Sequence, residues 1–166
     1  MSHHADAAQP RQVLRLAVAA ESLVVPIEAV HEILEVGRMT PMPQSPSFLR
    51  GVMNLRGAVV PVLDLAARFG LEPVQIGRRS AVVVVECAGD ELQDKVVAGL
   101  LVDAVYEVLE FRSEQLESVP SLGVRLPAGF VAGMINLPSG YAALLSLDQI
   151  LAPSDLAQRI AEAQES

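Results

Sequence analysis

The chain makes the same statement twice. Residues 48–55 read FLRGVMNL and residues 130–137, 82 positions later, read FVAGMINL; Phe, Gly, Asn and Leu keep their places. Upstream, residues 29–36 (AVHEILEV) and 104–111 (AVYEVLEF), 75 positions apart, share Ala, Val, Glu, Leu and Glu. Two ordered matches in the same sequence order indicate a duplication. A period this long lies well above the ~20–50 residues of solenoid repeats, so one chain builds a pair of similar lobes and not an array. The two offsets differ by seven, which gives the second copy a longer link between its pieces.

The repeated stretch is a pair of strands. Residues 51–55 form one apolar run and 58–65 the next, with Arg56-Gly57 as the turn. Gly57 reaches positive φ without steric cost, so the chain can reverse there. Pro61 cannot donate to a ladder, which predicts an edge strand or a bulge at that point. Residues 130–137 and 141–147 repeat the pattern around Pro138-Ser139-Gly140.

Earlier in the chain, 13–19 and 23–27 read as a hairpin turning at Glu21-Ser22. Ile27, Val30, Ile33 and Leu34 have helical spacing, which predicts a helical turn passing into a strand at 33–36. Pro41, Pro43 and Pro46 make 38–47 an extended loop with little pairing. Residues 65–70 read as one helical turn closed by Gly70. Residues 81–87 form a buried strand, 89–94 a turn and 96–102 the hairpin partner. Residues 112–127 are the longer, polar link, and 148–151 a helical turn. Residues 1–11 read as a disordered tail. Ser154 reads as the N-cap of a C-terminal helix over 153–166. The expected fold is all-β in the main: two small barrels, lobe one about 12–78 and lobe two about 79–152, with short helical turns and that last helix.

Half of the residues are apolar but there is no Trp, so Val, Leu and Ala must build the core, and Val favours strands. The net charge of −8 is divided unevenly: +1 over residues 1–80 and −9 over 81–166. The split fits two faces with different partners; a solvating acidic surface is the alternative. An acidic chain poor in aromatics lacks the cations and stacking platforms that nucleic acid requires. Cys87 is the one cysteine, which excludes an internal disulfide and suits a reducing compartment. No signal peptide is legible, and no apolar run approaches the ~18–20 residues of a membrane span.

The sequence shows no catalytic set. There is no GxxxxGK[ST], GxGxxG, GxSxG or HExxH, and no cysteine pair for zinc. His31 is the one histidine outside the tail that carries His3 and His4. It neighbours Glu32, and adjacent residues of a regular element do not face each other. Glu28, Glu32 and Glu35 share helical spacing, for which a solvated acidic face is the ordinary reading. No metal site and no cofactor are expected, and the chain reads as a non-enzyme.

The run GVMNLRGAVVPVLDL at residues 51–65 resembles the hallmark of the CheW family of chemotaxis coupling proteins. So do VPIEAVHEILEV at 25–36, GLLVDAVYEVLEF at 99–111 and FVAGMINL at 130–137. The resemblance spans about residues 14–151 and implies two SH3-like five-stranded β-barrels. It also implies a cytoplasmic adaptor, drawn to the inner face of the membrane through receptors. Such an adaptor bridges the cytoplasmic tip of methyl-accepting chemoreceptors to the regulatory domain of a CheA-type histidine kinase. The 166 residues hold no room for an attached kinase or receiver domain. By position, Val30, Glu32 and Arg56 match receptor-facing residues, and Gly51 and its neighbours match the kinase-facing surface of the first lobe. Met42, Leu49 and Met53 extend that surface as an apolar edge, since Met suits adaptable interfaces; Met53 reads equally as a filler of core gaps. Arg56 is placed to bond Glu32 across the first lobe, either as an interface pair or as a fold-stabilising one. A coupling protein for twitching motility or second-messenger output, or a small-molecule-binding double barrel, are the competing readings.

Overall fold

The structure, a computed structural model, describes residues 10–88, 95–118 and 126–152. The expected tail, the helix from Ser154, the turn at 89–94 and part of the 112–127 link lie outside the described residues.

The described strands are β1 (Arg11–Val18), β2 (Glu21–Pro26), β3 (Val30–Glu35), β4 (Leu49–Leu55), β5 (Ala58–Asp64), β6 (Ala81–Ala88), β7 (Lys95–Val102), β8 (Ala104–Phe111), β9 (Leu116–Glu117), β10 (Val131–Leu137) and β11 (Gly140–Leu145). Two single-turn helices follow the repeated hairpins: α1 (Leu65–Arg68) after β5 and α2 (Leu147–Ile150) after β11. The strands form two sheets. One has the order β3-β6-β7-β5-β4; the other is β8-β1-β2-β11-β10 with the short β9 added at its edge.

The duplication is visible in the register. Val62 pairs with Gly99 in the parallel contact of β5 with β7. Leu144 pairs with Val24 in the parallel contact of β11 with β2. These are the same pair, shifted by 82 on one strand and by 75 on the other. The tips match as well: Leu55 pairs with Ala58, and Leu137 with Gly140.

The lobes do not follow the chain, and this corrects the division near residue 78. The hairpin β1–β2 sits in the sheet of the second copy, and β6–β7 sits in the sheet of the first. Each copy lends its hairpin to the other. The lent hairpins are buried on both faces: Leu14, Leu16, Leu23 and Val25 join the central core with Val82–Val85, while Val13 and Val24 face Phe111, Ile135 and Leu144. A strand buried on both faces reads as a continuous apolar run, and the Val-rich β6 has that form.

Three local expectations are also corrected. The first hairpin turns at Ala19-Ala20, not Glu21-Ser22, with φ of 53° and 65°. The left-handed pair is held from afar, because the Ala19 N–H donates to Asp103 Oδ2 at 2.7 Å. The helical turn before β3 covers Ile27–Ala29 alone, and the strand begins at Val30. Alternation then turns Val30, Glu32 and Leu34 inward and His31, Ile33 and Glu35 outward. Last, β5 is an interior strand. Its ladder to β7 starts at Val62, so Pro61 lies just outside that ladder and faces only Val52 of β4.

Asp64 and Arg68 are the two buried charged residues of this frame, among those described. Asp64 caps α1 by accepting from the Ala67 N–H at 3.0 Å. Its other oxygen accepts from Arg50 Nη1 at 2.7 Å and from the Val74 N–H at 3.0 Å. One carboxylate therefore ties β4, α1 and the link to β6 together.

Candidate protein-binding surface

Arg56 Nη2 lies 3.3 Å from Glu32 Oε1. Glu32 is on β3 and Arg56 is at the tip of the β4–β5 hairpin, the opposite edges of the five-stranded sheet. The two edges meet only if the sheet curls round, so the pair marks closure of the first barrel. The turn is preset: Arg56 and Gly57 have φ of 53° and 87°, and the Gly57 N–H donates to Asn54 Oδ1 at 3.0 Å. The Arg56 side chain is 79% exposed and that of Glu32 is 23% exposed. Ile33 and Val59, 45% and 67% exposed, are large apolar residues left open on the same strands. Val30 is half-buried against the core. Val30, Glu32 and Arg56, the residues expected to face a receptor, thus lie on one edge-to-edge seam, with Glu32 and Arg56 in contact.

The set expected to face a kinase separates. Met42 is half-buried in the proline loop, where Ser45 Oγ donates to its carbonyl at 2.9 Å. Met53 is half-buried and packs on the core. Leu49 and Gly51 are buried. The loop folds back over β4, and Thr40 exchanges backbone bonds with Val52 at 2.8 and 2.9 Å. A Cβ on Gly51 would lie 2.6 Å from the Thr40 carbonyl oxygen. Gly51 is therefore required by a close approach within the chain, and Gly51 and Leu49 are both buried. The sequence pattern carried no sign of the Thr40 contact, since prolines 41, 43 and 46 argued against pairing.

The second lobe shows what the repeat does with the same position. Glu107, the counterpart of Glu32, has no arginine at its hairpin tip, where Pro138 stands. It pairs instead with Arg15 Nε at 3.1 Å. The Arg15 hydrogen bond, helped by a backbone N–H, pulls the Glu107 carboxyl below the usual range. The Arg15 guanidinium also lies 4.1 Å from the Tyr106 ring centre.

Between the lobes, an open cleft of about 500 Å³ is lined by Glu28, Ala29, Glu86, Cys87, Leu147 and Asp148, among others. It gathers more titratable groups than the sequence led us to expect. Burial pushes the Cys87 thiol up, and Asp148 and Glu86 push it further, so it is held protonated and is a poor nucleophile. His31 Nε2 contacts Glu86 Oε1 at 3.3 Å and does not join Glu28 or Glu32. Among the described residues, no three His, Cys, Asp or Glu side chains are placed to hold a metal ion. Nor is any described helix long and apolar enough to cross a membrane.

A duplicated pair of small β-barrels that presents an exposed arginine at a preset hairpin tip, ion-paired to a glutamate of the opposite edge strand, has the surface of a protein-binding module. Its family is shown by comparison: the model of the CheW-like domain matches residues 12–154, and the chain belongs to that family. The chain is 32% identical to the probable chemotaxis protein CheW of Rhizobium etli over 145 residues, covering 87% of this chain and 90% of that protein. It is 33% identical to protein FrzA of Myxococcus xanthus over 133 residues, 78% of each. The crystal structure of the scaffolding protein TtCheW from Thermoanaerobacter tengcongensis superimposes with a TM-score of 0.73 at 30% identity, covering 83% of this chain and 90% of that one.

Proposed function

We propose that the chain is a non-enzymatic adaptor that couples methyl-accepting chemoreceptors to a CheA-type histidine kinase, working in the cytoplasm at the inner face of the membrane. The observation that carries this reading is the Glu32–Arg56 pair. An exposed ion pair contributes only ~0–1 kcal/mol to a fold. Yet this one is held by a preset turn, and the strands beside it leave Ile33 and Val59 open. Arginine in a fixed setting beside apolar surface is the composition of an interaction hot spot. A receptor tip docks along β3 and the β4–β5 turn, with Val30 beneath as packing. The kinase domain takes the other side of the first lobe, where Met42 and Met53 keep partial exposure over the buried Leu49 and Gly51. Both surfaces stand on rigid strands, so one partner's position fixes the other's. The identity to FrzA, 33% over 133 residues, is close to the 32% over 145 residues with the Rhizobium etli protein, so the pathway is read from which receptor the chain binds.

The test is a three-component pull-down. Kinase regulatory domain should be retained on an immobilised receptor signalling fragment only when the chain is added. Retention without it, or none with it, would overturn the coupling role.

A further inference from the structure

We propose that Asn54 is a positioning residue for receptor docking: its side chain holds the left-handed turn that aims Arg56 at Glu32. This rests on the receptor-facing role given to Arg56 above. Leu55 pairs with Ala58, so Arg56 and Gly57 are the two residues of a tight hairpin loop, and both have positive φ, 53° and 87°. That form continues the twist of the flanking strands, and its first position is ordinarily Asn, Asp or Gly. An arginine there adopts a backbone conformation that a residue with a Cβ avoids. Strain of this kind persists where the surroundings impose it, and it gathers at functional sites.

The Asn54 side chain is the group that imposes it. Its Oδ1 accepts from the Gly57 N–H at 3.0 Å. The bond ties the base of the loop to the residue after Arg56, and so fixes the direction in which the Arg56 side chain leaves the tip. The guanidinium then meets Glu32 Oε1 of the opposite edge strand at 3.3 Å. Asn54 is itself exposed and opposes the open Val59 in the ladder. Removing its side chain therefore leaves no cavity in the core, and its role can be separated from the fold.

The second copy shows the same tip without the arginine. Asn136 is the counterpart of Asn54, but Pro138 and Ser139 stand where Arg56 and Gly57 do. The proline ring fixes φ near about −65°, so this tip cannot take the left-handed form. Asn136 is tied through its backbone carbonyl, which accepts from Gln115 Nε2 at 3.1 Å, and its side chain makes no hydrogen bond among the described residues. The strained turn and the asparagine bond thus occur together, in the lobe whose tip carries the arginine.

The experiment is a double-mutant cycle of wild type, Asn54→Ala, Arg56→Ala and the double variant, with thermal melts to confirm folding. Three readouts are taken: amide exchange at Gly57, NMR relaxation of the Arg56 Nε–H group, and affinity for a purified cytoplasmic signalling fragment of a methyl-accepting chemoreceptor. Asn54→Ala should speed exchange at Gly57, loosen the Arg56 side chain and lower receptor affinity roughly two- to tenfold, the scale of one lost hydrogen bond. In the Arg56→Ala background the same substitution should cost no further affinity. An equal loss in both backgrounds would mean that Asn54 acts without Arg56, as a direct contact or a brace of the hairpin, and overturns the positioning role. An Arg56 side chain unmoved by Asn54→Ala overturns it as well. If Asn54→Ala loosens Arg56 but wild type does not bind the fragment, the hold of Asn54 on Arg56 stands and the coupling function falls.

Discussion

Arg68 donates its Nε–H to the carbonyl of Ile150 at 3.0 Å, and Ile150 is its own counterpart in the second copy, 82 residues on. A residue that touches its counterpart marks the pseudo-twofold axis of the duplication. The guanidinium lies between the two repeated phenylalanines, 4.9 Å from the Phe48 ring centre and 4.7 Å from that of Phe130. Phe130 in turn packs on Phe69 at 5.8 Å. The lobes are thus joined through one buried cation, in addition to the exchanged hairpins.

Arg68→Ala should therefore cost about 2–4 kcal/mol, the sum of a desolvated cation–π contact and a charge-assisted hydrogen bond. Arg68→Lys should recover less than half of this, because an ammonium cannot span two rings while keeping the planar bond to Ile150. Chemical denaturation measures both; a loss below 1 kcal/mol in Arg68→Ala would remove Arg68 from the seam.

Asp64→Asn tests whether the charge or the cap dominates at the other hub. Asn caps a helix as well as Asp does. It removes the charge opposite Arg50, which keeps its bond to the Val74 carbonyl at 3.1 Å, and turns an amide toward the Val74 N–H. Breaking a buried pair on one side costs ~3–5 kcal/mol, reduced here because Arg50 is partly open to water. Asp64→Asn should lose about 2–3 kcal/mol. A variant as stable as wild type would show that the helix cap is the whole role.

Gly51→Ala should loosen the proline loop. Its φ of +153° and the 2.6 Å approach to Thr40 leave no room for a Cβ. We expect a loss of about 2 kcal/mol, with amide exchange at Thr40 and Val52 accelerated together. Unchanged protection of those two amides would contradict the close approach.

Glu107 carries a pH prediction. Its folded-state value is lowered, first by the Arg15 hydrogen bond. The pair therefore adds stability above the unfolded value, and that contribution disappears as pH falls through the lowered folded value. Arg15→Gln should raise the Glu107 titration toward the ordinary glutamate range, with the backbone N–H still lowering it, and weaken this acid-side loss. An NMR titration of both proteins checks it; an unmoved Glu107 midpoint would assign the shift to another cause.

Much of this was legible in the sequence, and the failures have one origin. Local rules found the hairpin tip at Arg56-Gly57, the helical turn closed by Gly70 and the pair of offsets that the strand registers reproduce. The Glu32–Arg56 contact was legible as opposite charges within one lobe, although the sequence put Glu32 on a helical turn and the structure has it on β3. The exchange of hairpins was hidden because a duplication looks the same whichever copy lends its strands. The turn at Ala19-Ala20 depends on Asp103, 84 residues away, and the burial of Gly51 depends on Thr40 crossing β4. In each case a long-range contact overrode a correct local preference.

The most direct test of the two-surface account is titration of wild type, Glu32→Ala and Arg56→Ala against the receptor fragment and, separately, against the kinase regulatory domain, with a melting curve for each protein. The account predicts that both variants lose roughly tenfold or more in receptor affinity, keep their affinity for the kinase domain and melt within a few degrees of wild type. If both affinities fall together, in step with a fall in melting temperature, the pair serves the fold and the separation of surfaces is contradicted.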